Sequence, residues 1–293
     1  MNLIVRNRLG VHTLNDLLRQ AKLASVDTGG ACTIDCTRLT DVNAVGLVGL
    51  MLLLKQLERK RYRITVELPS TRRVREAILG NINPHVDDAT KGLRRYLTDP
   101  GVYWTSEQTA GPDHTVRHDY LRLFHLTCLN DGIPLLEEIR SNLRNNLRLP
   151  ADATARFCEA FSELCQNIHE HSQSPIGGFA AIDLLWTGME RRVILALGDL
   201  GIGIRCSLTN AGLTTGSDHD AISRAVQRGV TSKRGNDGRG GGLARCREHA
   251  QDQGYAFGIR SGRGYWISIR GKEQASIEGF CPGTQVYFAF GRF

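Results

Sequence analysis

The chain lacks a long apolar run. Its longest, Val45 to Leu54, is about ten residues and holds two glycines, against the roughly 20 residues that a membrane-spanning helix needs. A secretory leader is also missing from the pattern, because Asn2-Leu3-Ile4-Val5 runs into Arg6 and Arg8 without an apolar core or a cleavage site. The expectation is a cytoplasmic protein with no membrane partner. The eight cysteines include no C-x-x-C pair and serve no small secreted scaffold, so reduced, mostly buried thiols are expected, with Cys165 a packing residue. The basic clusters Arg59-Lys60-Arg61-Arg63 and Arg72-Arg73-Arg75 carry almost no interleaved aromatics, Tyr62 excepted. Nucleic-acid binding by base stacking is therefore not expected, and a solvated face or an acidic protein partner explains the clusters better.

What is present is ordinary for a globular protein: 293 residues, 41% hydrophobic and 23% charged, with a net charge of +7 spread almost evenly over the two halves. That length allows two domains, each with its own core.

In the first hundred residues, Ala31 to Cys36 reads as a buried strand and Val42 to Arg59 as an apolar helix that turns basic at its end. Tyr62 to Leu68 then alternates as a strand and stops at Pro69. Strand, helix and returning strand predict a parallel β-α-β unit. In this order, residues 1–98 resemble a STAS domain, the fold of anti-sigma-factor antagonists. That family carries a D-S-S-G-L loop whose serine is phosphorylated. Here the matching stretch is Asn43-Ala44-Val45-Gly46-Leu47; Gly46 and Leu47 fit, but both serine positions are apolar, so that modification is not available. Residues 99–118, with Pro100, Gly101, Gly111 and Pro112, read as a linker.

The second domain, 119–293, opens with a strand over 121–126 and a helix over 134–147. Asp152 is the expected N-cap of a helix running to His171. Phe157, Phe161, Leu164 and Ile168 form its core face, while Glu163 and Asn167, four apart, share another. In isolation a solvated face would explain that pair. After the strand Val193 to Leu197, however, comes Gly198-Asp199-Leu200-Gly201-Ile202-Gly203, an acid at the end of a buried strand followed by alternating glycines. Such a turn lets a ligand lie against bare backbone while the carboxylate accepts a hydrogen bond. Gly229 to Gly242 is rich in glycine, hydroxyls and cations and precedes a helix over 243–253, an arrangement suited to surrounding phosphate oxygens. Pro282 to Phe288 supplies a glycine-threonine turn into an apolar last strand.

Residues 120–293 thus resemble the GHKL superfamily of gyrase B, MutL, heat-shock chaperones, sensor histidine kinases and anti-sigma-factor kinases. The resemblance implies a Bergerat-type α/β sandwich with helices on one face of a mixed sheet, so that the whole chain is a two-domain α/β protein. It implies ATP and Mg²⁺ as cofactors, with Asn167 the metal ligand and Asp199 the partner of the adenine amino group. Gly201 and Gly203 would shape the base pocket, Gly238, Gly240 and Gly242 would line the phosphates under a mobile lid, and Thr284 would sit near the adenine. Glu163 takes the position of the catalytic base, which can orient water or a protein hydroxyl. Lys233 and Arg239 are the cations available to the γ-phosphate. His171 is read as a packing or capping residue, because histidine kinases carry their phosphorylated histidine on a separate helix. Two departures stand out: Gly241 replaces a larger apolar residue, and the lid is longer than in compact anti-sigma kinases.

The leading expectation is an ATP-dependent signalling regulator resembling anti-sigma-factor serine/threonine kinases, whose lid controls its hold on a protein partner or phosphotransfer to it. The alternatives are an ATPase that drives dimerisation or domain movement, with a homodimer compatible with either, and a scaffold that binds nucleotide without turnover. The first domain is expected to dock near the lid, so that deleting residues 1–98 changes nucleotide affinity or turnover.

Overall fold

Alternation of side chains along short strands, interrupted by one helix that is apolar all round, organises the amino-terminal region of the computed structural model. The structure describes residues 1–21, 29–69, 116–170, 172–187, 190–230 and 241–291. The expectations placed on Lys233, Gly238, Arg239, Gly240, His171, the lid, Arg72-Arg73-Arg75 and most of the 99–118 linker lie outside those residues.

The chain begins with β1 (Asn2–Ile4), β2 (Asn7–Leu9) and α1 (Val11–Ala21), then β3 (Gly30–Asp35), β4 (Leu39–Val42), α2 (Ala44–Arg59) and β5 (Tyr62–Glu67). Strands β1, β3 and β5 make a parallel sheet, and β2 pairs with β4. The β3-α2-β5 unit is parallel in continuous register from Gly30↔Tyr62 to Asp35↔Glu67, as the order strand, helix, returning strand predicts. Asn43 caps α2, its side chain accepting from the Gly46 N–H at 3.0 Å. From Ala44 to Leu54 every residue of α2 is buried, the signature of a helix enclosed on all sides.

What encloses it is the second half of the chain. There β6 (Val116–Leu126) is followed by a 3₁₀ turn, α3 (Gly132–Asn145), α4 (Ala151–Glu170), β7 (Gly178–Thr187), β8 (Glu190–Asp199), α5 (Gly203–Asn210), α6 (Asp218–Ala225), α7 (Gly242–Gln253), β9 (Ala256–Ile269) and β10 (Lys272–Phe290). The five strands form one sheet in the order β6-β7-β8-β10-β9. Period-two alternation sorts its side chains into two cores. Phe124, Leu126, Ile182, Leu195, Leu197 and Phe288 pack with α3 to α7 on one face. Leu121, Leu123, Phe179, Ala181, Ala196 and Tyr287 pack with α1 and α2 on the other. The amino-terminal unit therefore shares a core with the large sheet. Polar contacts seal the seam: Gln285 Nε2 donates to Val45 O at 2.9 Å, Arg260 Nη2 to Val11 O at 3.1 Å, and the Gly279 N–H to Asn15 Oδ1 at 2.8 Å.

Several expectations change in detail. All pairings among the described strands of the large sheet are antiparallel and the parallel ones lie in the amino-terminal sheets, so the mixed character belongs to the molecule rather than to the sandwich sheet. Strand β6 begins at Val116, inside the segment read as linker. Asp152 is not an N-cap: Thr154 N–H bonds to Pro150 O at 2.9 Å, which puts Asp152 in the first turn, where its carboxylate faces the positive helix end and pairs with Arg156 at 2.9 Å. Gly283 and Thr284 are not a free turn but an irregular stretch within the long β10, with register shifts between Ile277, Cys281 and Thr284.

Candidate functional site

Strand β8 ends at Asp199, whose side chain leaves the sheet on the side covered by α3 to α7. The residue is 7% exposed and its Oδ1 accepts the Gly201 N–H at 2.7 Å. Burial pushes its pKa up to about 6, while backbone N–H groups of Gly201 and Thr284 pull the other way. The loop is fixed from two directions. From the end of α4, Ser172 O accepts the Ile202 N–H at 2.8 Å and Ser174 Oγ accepts the Leu200 N–H at 3.3 Å. From β9, Ser261 Oγ accepts the Ile204 N–H at 3.0 Å, donates to Gly283 O at 2.8 Å and lies 3.3 Å from Thr284 Oγ1.

The glycines of this loop are close-contact residues. A Cβ on Gly201 would fall 1.9 Å from Ser172 O, so this residue braces the loop rather than lining the cavity. Gly203 has φ +74°, and a Cβ there would lie 2.9 Å from Ser261 Oγ.

Helix α4 supplies the opposite wall. Glu163 and Asn167 fall one turn apart on it and face the cavity together, beside Leu164 and Ile168. The first turn of α7 crosses directly over Glu163: a Cβ on Gly242 would lie 3.0 Å from Glu163 Oε2 and 3.1 Å from Glu163 Cβ. A larger residue there would have to displace the Glu163 side chain by a few tenths of an ångström. Glu163 Oε1 is ion-paired with Arg245 of α7, and a second carboxylate, Glu159, lies 4.0 Å from the same guanidinium.

Glu163, Asn167, Asp199, Gly203, Gly242 and Thr284, drawn from four separate segments, thus line one cavity of about 150 Å³ with Ser172, Ser207, Leu208, Ala225 and Val230 among its other walls. Sites for whole drug-sized ligands usually run to ~300–1,000 Å³. The enclosed part is smaller than such a site, with Glu163 and Gly242 lining its α4–α7 side and Asp199 its side at the end of β8. The buried acceptor at Asp199 fits an amino-bearing base. No cluster of three or more His, Cys, Asp or Glu able to hold a metal occurs among the described residues. Mg²⁺ is commonly held by one or two side chains together with ligand phosphates, and Asn167 on the cavity wall fits such a single-ligand role. Cys165 is buried, and desolvation raises its thiol to about 12, which makes it inert.

The residues that sequence reasoning missed are Ser172, Ser174, Ser261 and Arg245. They hold the site through contacts between distant segments, and no local pattern marks them.

Comparison of the chain with models of protein families gives no match, and comparison with curated protein sequences gives none. The fold and site define an α/β protein with helices on both faces of an antiparallel sheet and a cleft at the end of its central strand. No helix among the described residues is long and apolar enough to cross a membrane.

Proposed function

We propose that this protein binds ATP together with Mg²⁺ and acts as a nucleotide-dependent regulator of a protein partner, in the manner of the anti-sigma-factor kinases that its sequence resembles. The observation that carries the reading is the convergence of Glu163, Asn167, Asp199, Gly203, Gly242 and Thr284 on one cavity. The buried Asp199 carboxyl would take the adenine amino group, Gly203 and Thr284 would border the base, and Asn167 would hold the metal against the phosphates. The glycine-rich stretch entering α7 would meet the phosphates with backbone N–H groups and the positive end of that helix. Glu163, paired with Arg245 of α7, would orient a nucleophile.

Calorimetric titration of ATP and ADP, with and without magnesium, into wild type and Asp199→Asn tests this. Binding that depends on Asp199 and responds to magnesium is expected. A well-folded wild type that takes up neither nucleotide would end the proposal. Label passing from the γ-phosphate to a protein would identify a kinase, and steady phosphate release an ATPase; binding with neither would identify a scaffold.

A further inference from the structure

The Glu163–Arg245 pair stands where α4, the first turn of α7 and the cavity meet. Glu163 contributes to the cavity wall, and its Oε2 faces the Gly242 backbone. This is also the edge across which the charged part of a nucleotide would lie. An ionised carboxylate at that edge repels phosphate, and Glu159, one turn earlier on α4, adds a second negative charge beside it. Arg245 is the cation that meets both: Nη2 engages Glu163, and Nη1 is 4.0 Å from Glu159. The Glu163 side chain is 22% exposed, so solvent screens its charge only in part.

We propose that Arg245 is a specificity-determining residue that permits nucleoside polyphosphates at this cavity by neutralising Glu163 where α7 begins. The inference rests on the adenine-nucleotide reading of the site. It assigns Arg245 a positioning and charge-balancing role exercised through Glu163, while the base-binding end of the cavity around Asp199 is left untouched.

The test is a binding cycle by calorimetry with ATP, ADP and adenosine on wild type, Arg245→Met, Glu163→Gln and the double variant, each checked for folding by circular dichroism. Arg245→Met is expected to weaken ATP about tenfold, ADP less, and adenosine hardly at all. Adding Glu163→Gln to Arg245→Met is expected to restore most of the lost ATP affinity, because the charge left uncompensated has gone. Equal loss for ATP and adenosine, unchanged ATP binding in Arg245→Met, or a double variant no better than the single one would each overturn the inference while leaving the nucleotide site standing. If Arg245→Met does not fold, Arg245→Lys and Glu163→Gln decide: the first should keep the preference for ATP over adenosine and the second should raise it, and failure of either overturns the proposal. A folded wild type that binds none of the three ligands removes the nucleotide reading itself, and this inference with it.

Discussion

Asp199 shows how one buried acid can favour a ligand at the expense of the empty protein. Its folded-state pKa, about 6, lies above the ordinary carboxylate value of 3.8, because burial disfavours the charge more than two backbone N–H groups restore it. A raised value means that folding favours the protonated form. The stabilising contribution is complete below about pH 4 and is lost as pH rises through 6. At pH 8 the ionised group costs on the order of 3 kcal/mol, two pKa units at about 1.4 each. Asp199→Asn keeps an oxygen for the Gly201 N–H without that charge, so its melting temperature should exceed that of wild type at pH 8 and converge with it near pH 4. Binding should run in the opposite direction. The ionised carboxylate is the better acceptor for an amino group, so wild-type affinity for adenosine should rise through pH 6 and that of Asp199→Asn should stay flat. Adenosine is the right probe because phosphate groups titrate near the same pH. A flat wild-type profile would detach Asp199 from base recognition.

Helix α2 carries two glycines, Gly46 and Gly49, in its buried interior, and each would gain roughly 1 kcal/mol of helix propensity on replacement by alanine. Packing decides against that gain at Gly46. A Cβ there would fall 2.0 Å from the backbone oxygen of Leu9, which cannot move without disturbing β2, whereas at Gly49 it meets only the tip of Leu14, at 2.3 Å. Overpacking typically costs 1–3 kcal/mol and more against backbone. Gly46→Ala should therefore lose about 2 kcal/mol or more in urea unfolding, and Gly49→Ala clearly less; equal losses would show that the β2 contact is not the cause. The same helix shows what the sequence makes legible. A buried strand at 31–36, an apolar helix and an alternating strand at 62–68 sufficed for a parallel unit, and the expected bounds of α4 and α7 fall within a residue or two of the observed ones although Asp152 is not the cap. Strand β7 escapes such reading because Gly178 to Leu185 is buried without interruption and has no alternation to detect. Strand β9 contains Gly258, Gly262 and Gly264, which read locally as turns. Spacing of four put Glu163 and Asn167 on one helix face, and an apolar run put Asp199 at a strand end; both placements recur in the structure. Ser261 was not, since its bond to the Ile204 N–H joins residues 57 apart in the chain.

At the scale of the whole molecule, the two faces of the large sheet connect the amino-terminal unit to the cleft. In the β9–β10 pairing, Thr284 stands opposite Ser261 and Gln285 opposite Arg260. Ser261 and Thr284 meet beside the Asp199 loop; their neighbours Arg260 and Gln285 turn to the other face and bond to Val11 O and Val45 O. Similarly, Gly198 lies against Val48 and Leu52 of α2 while the next residue, Asp199, enters the cavity. Arg59, from a basic cluster that the sequence leaves to a solvated face or a partner, donates to Leu200 O at 3.4 Å. The amino-terminal unit thus supports the floor of the site from beneath. Removing it is consequently a structural event before it is a regulatory one. A fragment beginning at Val116 would bare Leu121, Leu123, Phe179 and Tyr287 on one apolar face, and contiguous exposed apolar patches favour association. Such a fragment should bind a hydrophobic dye, self-associate and lose the cooperative unfolding of the full chain, with adenosine affinity falling alongside. A monomeric fragment that unfolds cooperatively and keeps full adenosine affinity would show that the sheet and cleft stand without α2, and would return the amino-terminal unit to a purely regulatory part.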